Sequence, residues 1–236
     1  MTASTPSVLD LATDRALAYE AAALKWTCDE SIKRLRFDDN GRASERSGME
    51  FALLMVPDAE TQQAVELTSR PKSLKGFPPV TSWLRLFHPD TRPWILIRDS
   101  GDVDAPDEPG HRFTFRGAFS RANGDDLREW EGVAWVNSRT GDLMRIDAMP
   151  ASQPEMLAVL IDRRNARGVG INLFGFRFSV GPRAHGRRLA VSFEEQSGFW
   201  LPRTARFETF DAVSKHGERP LRAVVVSLSR CREFQP

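Results

Sequence analysis

Apolar residues in this chain mostly alternate with polar ones, and only twice recur at helical spacing. The clearest stretch is residues 130–147, WEGVAWVNSRTGDLMRID, read with GFWLP at 198–202. Val133 and Trp135 alternate on one arm, Met144 and Ile146 on the other, across a polar turn at 137–142. A period of two flanking a turn-forming segment predicts a β-hairpin with one face on a core.

The same pattern fills most of the chain. Residues 28–38 and 43–56 flank Asp39-Asn40-Gly41, a hairpin signal because Asn and Gly tolerate positive φ. Residues 93–98 form an apolar run, and 100–110 read as an acidic loop. In 111–120, Phe113, Phe115 and Phe119 fall on one side; in 170–180, Phe174, Phe176 and Phe178 do so. Further strands are expected near 155–163, at 188–195 paired with 199–210, and at 221–234. The expectation is a mainly β (α+β) chain with a single strongly curved antiparallel sheet, or half-open β-barrel, of about 11 strands.

Two segments break the alternation with helical periods. In residues 5–26, Val8, Leu11/Ala12, Ala16, Tyr19, Ala22/Ala23 and Trp26 form one stripe, and Thr5 or Ser7 with Pro6 supplies a start signal. This N-terminal helix lies on the core. The polar, proline-bearing excursion at 57–88 carries a short helix at 60–67. It ends in Val80, Trp83, Leu84 and Phe87, one face of a helix near 79–88 that Pro89 stops. Its two aromatics suit a plug on the concave side of the sheet. No repeat or shift in composition divides residues 1–236, so one domain is expected, with its strand series at 91–234.

Composition removes function classes. The 33 basic and 32 acidic residues leave a net charge of +1, without the excess that marks nucleic-acid binders. No apolar run approaches the roughly 18–20 residues of a membrane span. The start, MTASTPSVLD, lacks the basic and apolar regions of a signal peptide. A cytoplasmic protein and a mature chain with an added Met both fit.

Candidate chemistry is sparse. His88, His111, His185 and His216 are scattered without metal-ligand spacing, and His185 and His216 fall in Gly-containing turns. Asp99, Asp102, Asp104 and Asp107 share one loop but lack the order of a calcium loop, so a solvated turn is the simpler reading. No GxSxG elbow, phosphate loop or dinucleotide loop occurs, and Glu194-Glu195 are adjacent, on opposite faces of a strand. No catalytic residue, metal site or cofactor is expected. Fifteen Phe and six Trp remain as the main signal. Alternation makes them core, though a curved sheet under a short aromatic helix also leaves a cavity. The cavity candidates are Trp83, Phe87, Trp94, Trp135 and Trp200. Cys28 and Cys231 lie near the two ends in strand-like segments: either two buried thiols, or a bridge between the first and last strands.

The hairpin resembles the F-x-G-x-V-W-V-D-P-x-T-G-x-V-L-R signature of uncharacterised exported proteins of the acidobacterial type. Trp130, Gly132, Ala134, Trp135, Val136, Thr140, Gly141, Leu143 and Arg145 carry the likeness, while Asn137-Ser138 replaces Asp-Pro. LKWTCDESIKR, SWLRLFHP, GFWLPRTARFET and SLSRCREF resemble other segments of that family in the same order. The family is similar to the lipoprotein-carrier group of LolA, LolB, LppX, RseB and MucB. That resemblance implies a half-open barrel with helices on its concave face and a non-enzymatic protein of the periplasm or extracellular space. It also implies a Cys28–Cys231 disulfide. A monomer that holds a lipid, acyl chain or lipoprotein tail is expected; the alternative is an RseB-type sensor with a filled core and a protein partner.

Overall fold

The computed structural model describes residues 6–23, 26–57, 64–66, 80–103, 110–118, 129–154, 171–173, 176–178, 185–196, 198–214 and 217–233. Helix α1 (Val8–Ala23) is followed by strands β1 (Trp26–Phe37), β2 (Ala43–Pro57) and β3 (Ala64–Glu66). A 3-10 helix, Val80–Arg85, and a 3-10 turn, Pro89–Thr91, lead into β4 (Ile95–Val103), β5 (Gly110–Gly117), β6 (Trp130–Asn137) and β7 (Leu143–Pro150). Then come β8 (Ile171–Leu173), β9 (Phe176–Phe178), β10 (His185–Gln196), β11 (Phe199–Ser214) and β12 (Gly217–Glu233).

One open antiparallel sheet dominates, in the order β3-β2-β1-β12-β11-β10-β7-β6-β5-β4. Nine of these strands are long; β3 is a three-residue strand on the end of β2. Among the described residues the sheet therefore differs from the expected count of about 11 strands. The remaining pair, β8 and β9, forms a hairpin of its own where one strand was expected at 170–180. The first and last long strands are neighbours, β1 against β12, and Cys28 and Cys231 form a disulfide between them. A loop of 203 residues is closed there.

Register gathers the core. Phe113, Ala134, Ile146, Val191, Ala205, Val226 and Ile32 follow one another across seven adjacent strands as directly paired residues. None of them is more than 1% exposed. Each comes from an alternating segment, so one register places these seven side chains on the same face, and a one-residue slip would expose them. On the other face Arg188 and Arg206 both donate to the buried Glu208 carboxylate.

The helix covers the apolar face with Ala12, Ala16, Tyr19 and Ala23. Its small residues let it lie close to the sheet. At Gly141, in the β6–β7 turn, φ is +78° and an added Cβ would stand 2.3 Å from the Leu11 carbonyl carbon. Glycine is thus required both for the turn and for the helix that rests on it. Arg15 ties the same turn, bonding the Thr140 carbonyl at 3.2 Å and the Asp142 carboxylate at 3.0 Å.

Several expected boundaries move. Trp26 opens β1 and does not end the helix. The segment near 79–88 is a 3-10 helix, and Pro89 begins the next 3-10 turn. Residues 64–66, expected as helix, pair with β2. Residues 100–103 belong to β4, which continues through a bulge between Asp99 and Asp102 with Gly101 at φ 83°. His185 lies in β10. The strand expected near 155–163, together with Phe119, Phe174 and His216, lies outside the described residues.

Candidate functional site

The five aromatic candidates do not gather around one space. Trp83 is fully buried beneath the 3-10 helix, perpendicular to Trp130 at 6.0 Å and tilted on Phe115 at 6.1 Å. Phe87 stacks edge-on against Phe113 at 5.2 Å. Together with Val80, Leu84 and Leu86, these rings fill the space between the 3-10 helix and the sheet. Trp135 lies on the opposite face of β6, under the guanidinium of its cross-strand partner Arg145. Trp200 is partly buried against the core next to Phe199, whose ring meets Trp26 just past the C-terminus of α1.

Trp94 stands near the other end of the helix. It borders a groove of about 600 Å³ together with Leu9, Ile95, Leu96 and Ile97. A sixteen-residue helix is about 24 Å long, which separates this groove from Trp200. The groove follows β4, the last strand of the sheet order. Ile95 and Ile97 turn to the core face, where Leu9 of α1 also packs. Trp94 and Leu96 stay 51% and 56% exposed. Arg92, Arg116 and Glu129 complete the lining with charge.

The polar clusters are structural in geometry. His88 is buried; its Nε2 lies 3.0 Å from Glu20, and its Nδ1 accepts from the Asp90 amide at 3.2 Å. Glu20 also meets Arg85 at 3.2 Å, so α1 is fastened to the 3-10 helix. His111 sits between two carboxylates, with Nδ1 2.8 Å from Asp102 and Nε2 2.8 Å from Asp99. An ionised carboxylate only accepts hydrogen bonds, so this geometry favours the imidazolium, whose two nitrogens both donate. Burial opposes that charge, yet the hydrogen bonds to Asp102 and Asp99 and their negative charges outweigh it, and the His111 pKa is raised. Asp99, held chiefly by the Gly101 amide, is lowered. This clasp closes the β4 bulge. The sequence showed the aspartates as a loop cluster and missed the histidine, because the hairpin register alone brings Asp102 opposite His111. Among the described residues no group of three His, Cys, Asp or Glu side chains is placed to hold a metal, and no helix is long and apolar enough to cross a membrane.

No protein-family model matches the sequence, and no curated protein matches it. Solved structures align along nearly all of it. A LolA superfamily protein from Nitrosomonas europaea is 10% identical, covers 98% of this chain and 95% of its own, and superposes with a TM-score of 0.41. A DUF1329 family protein from Desulfovibrio piger is 9% identical, covers 97% and 94%, and gives a TM-score of 0.39.

Proposed function

We propose that this chain is a non-enzymatic binding protein of an oxidising compartment, such as the cell envelope, that holds an apolar ligand. The carrying observation is the groove along β4, where Trp94 and Leu96 remain exposed beside Leu9, Ile95 and Ile97. Its volume falls within the roughly 300–1,000 Å³ of small-molecule sites. An acyl chain, free or as a lipoprotein tail, is the ligand that such a lining suits: apolar contact dominates, and little in it fixes a rigid polar shape. The Cys28–Cys231 disulfide supports the compartment, since such bonds persist where the surroundings are oxidising. A non-catalytic role is supported by His88 and His111, whose ring nitrogens are all engaged by partners within the fold.

The filled space beneath the 3-10 helix favours a second reading, an interaction domain whose partner docks on the same edge strand. Titration with a fluorescent fatty acid separates the two. Saturable binding that Trp94→Ala weakens at least about tenfold is expected for the first. Delipidated protein that binds no fatty acid, and carries no lipid in native mass spectrometry, would sink it in favour of the second.

A further inference from the structure

One hydrogen bond fixes the direction in which the β4 backbone turns. The Trp94 carbonyl accepts from the Ala118 amide at 3.3 Å, so its polar groups point toward β5. Along a strand these groups point alternately to either side, so Leu96 and Arg98 also bond to β5, opposite Arg116 and Thr114. Ile95 and Ile97 turn their amides and carbonyls the other way. The groove is lined by Trp94 and Leu96 from one face and by Ile95 and Ile97 from the other, so it runs along this outer margin. Among the described residues no strand pairs there.

Folded proteins guard an unpaired edge with proline, charge or a bulge. In β4 these guards stand at the ends: Pro93, which has no amide hydrogen, on one side, and Arg98 with the bulge between Asp99 and Asp102 on the other. The backbone at Ile95 and Ile97 has none. This stretch is also complementary to itself. A two-fold axis through Leu96 sets Leu96 against Leu96 of a second copy, Ile95 against its Ile97, and Trp94 against its Arg98. Leu96 then forms a non-hydrogen-bonded pair, where side chains lie closest, and the outward groups of Ile95 and Ile97 meet in hydrogen-bonded pairs. Indole and guanidinium attract each other at both ends. Neighbouring registers fit worse. An axis at Ile97 puts Leu96 opposite Arg98 and Ile95 opposite Asp99; an axis at Ile95 puts Ile97 opposite Pro93, which has no amide to donate.

Resting on the second reading above, in which a partner docks on this edge, we infer that the partner is a second copy of this chain, joined by antiparallel β4–β4 pairing centred on Leu96. The contact is isologous: each copy offers the same edge, and the pairing closes at two. A contact this small makes a weak, reversible dimer.

The test is sedimentation of the delipidated protein from about 1 µM to about 500 µM, with amide hydrogen exchange at both ends of that range. A concentration-dependent dimer is expected. In it the Ile95 and Ile97 amides gain protection, while those of Leu96 and Arg98 are protected throughout. Leu96→Lys and Leu96→Glu should each weaken the dimer at least about tenfold, because like charges then stand directly opposite. An equimolar mixture of the two variants should restore it, which places the axis at Leu96. A dimer that neither variant weakens, or a mixture no tighter than either variant alone, overturns the inference. A monomer at every concentration, with Ile95 and Ile97 exchanging freely, also overturns it and leaves the edge to a different partner. The same two amides protected in a monomer remove the edge reading itself. Circular dichroism of each variant separates a lost dimer from a lost fold.

Discussion

The middle of the sheet and its β4 edge use the same sequence grammar and end in opposite states. At Ile146 and Val191, apolar residues have a strand on either side and a helical cover, and are sealed from water. At Trp94 and Leu96, apolar residues lie on or beside the strand that ends the sheet order of the described residues, on the face away from Ile95 and Ile97, and each stays about half exposed. Burial is a property of neighbours. An alternating segment supplies an apolar face, and the face a residue takes, together with the place of its strand in the sheet order, decides whether it becomes core, as Ile95 does, or groove, as Leu96 does.

The strongest way to break this comparison is to empty the packed side. Trp83→Ala should destabilise the fold by about 3–5 kcal/mol, because a fully buried ring leaves a cavity between Trp130 and Phe115; urea unfolding measures it. A loss below about 1 kcal/mol would show that the space under the 3-10 helix is not packed. Next is the bridge that closes the sheet's middle. Replacing Cys28 and Cys231 together by Ala should cost about 2–4 kcal/mol, chiefly by freeing the unfolded chain. An unchanged midpoint for the double variant would remove the disulfide from the stability of the fold.

Trp94→Ala sharpens the other side. Its stability cost should be about 1 kcal/mol or less, as for exposed positions, while ligand affinity falls. A cost as large as that of Trp83 would make Trp94 a core residue and cancel the distinction between the two regions.

The smallest effect concerns the clasp that shapes the β4 bulge. His111 has a raised pKa in the fold, so its contribution is complete below the unfolded value of 6.5 and is lost as pH rises through the folded value. Asp99 has a lowered pKa, so its contribution is present above the unfolded value of 3.8 and is lost as pH falls through the folded one. The gap in Tm between wild type and His111→Gln should therefore be widest between about pH 4 and pH 6.5 and shrink on either side. Both aspartates are largely exposed, which limits the gap to about 3 °C. A gap that stays constant from about pH 3 to about pH 9 would show that the charge on the ring adds nothing to the fold.

Much of the fold was legible in the residues. Asn40-Gly41 and Thr140-Gly141 mark turns, and both form them, with Gly41 and Gly141 at positive φ. Phe113 and Phe115 were expected on one face and are both buried there. The resemblance to the LolA-type group paired Cys28 with Cys231, and the two are bonded. The site was less legible. The aromatic pattern selected five residues but gave no means to sort them, because a tryptophan in a packed core and one at a groove obey the same alternation. Trp135 and Trp130 are five residues apart on one strand, and that odd spacing puts them on opposite faces. Arg92 and Glu129 fall in connecting segments, where periodicity carries no signal at all.

The sequence by itself determined the elements and their apolar faces. Alternation, turn residues and the helical stripe are local properties, written within a few residues of the positions they govern. Only the tertiary structure decided that β12 returns beside β1, that Asp99 and Asp102 close on His111, and that β4 is left at the margin with Leu9, Arg92 and Arg116 around it. Those are pairings between distant segments. They follow from how all the strands together bury one common face, a condition that no single window of the chain contains.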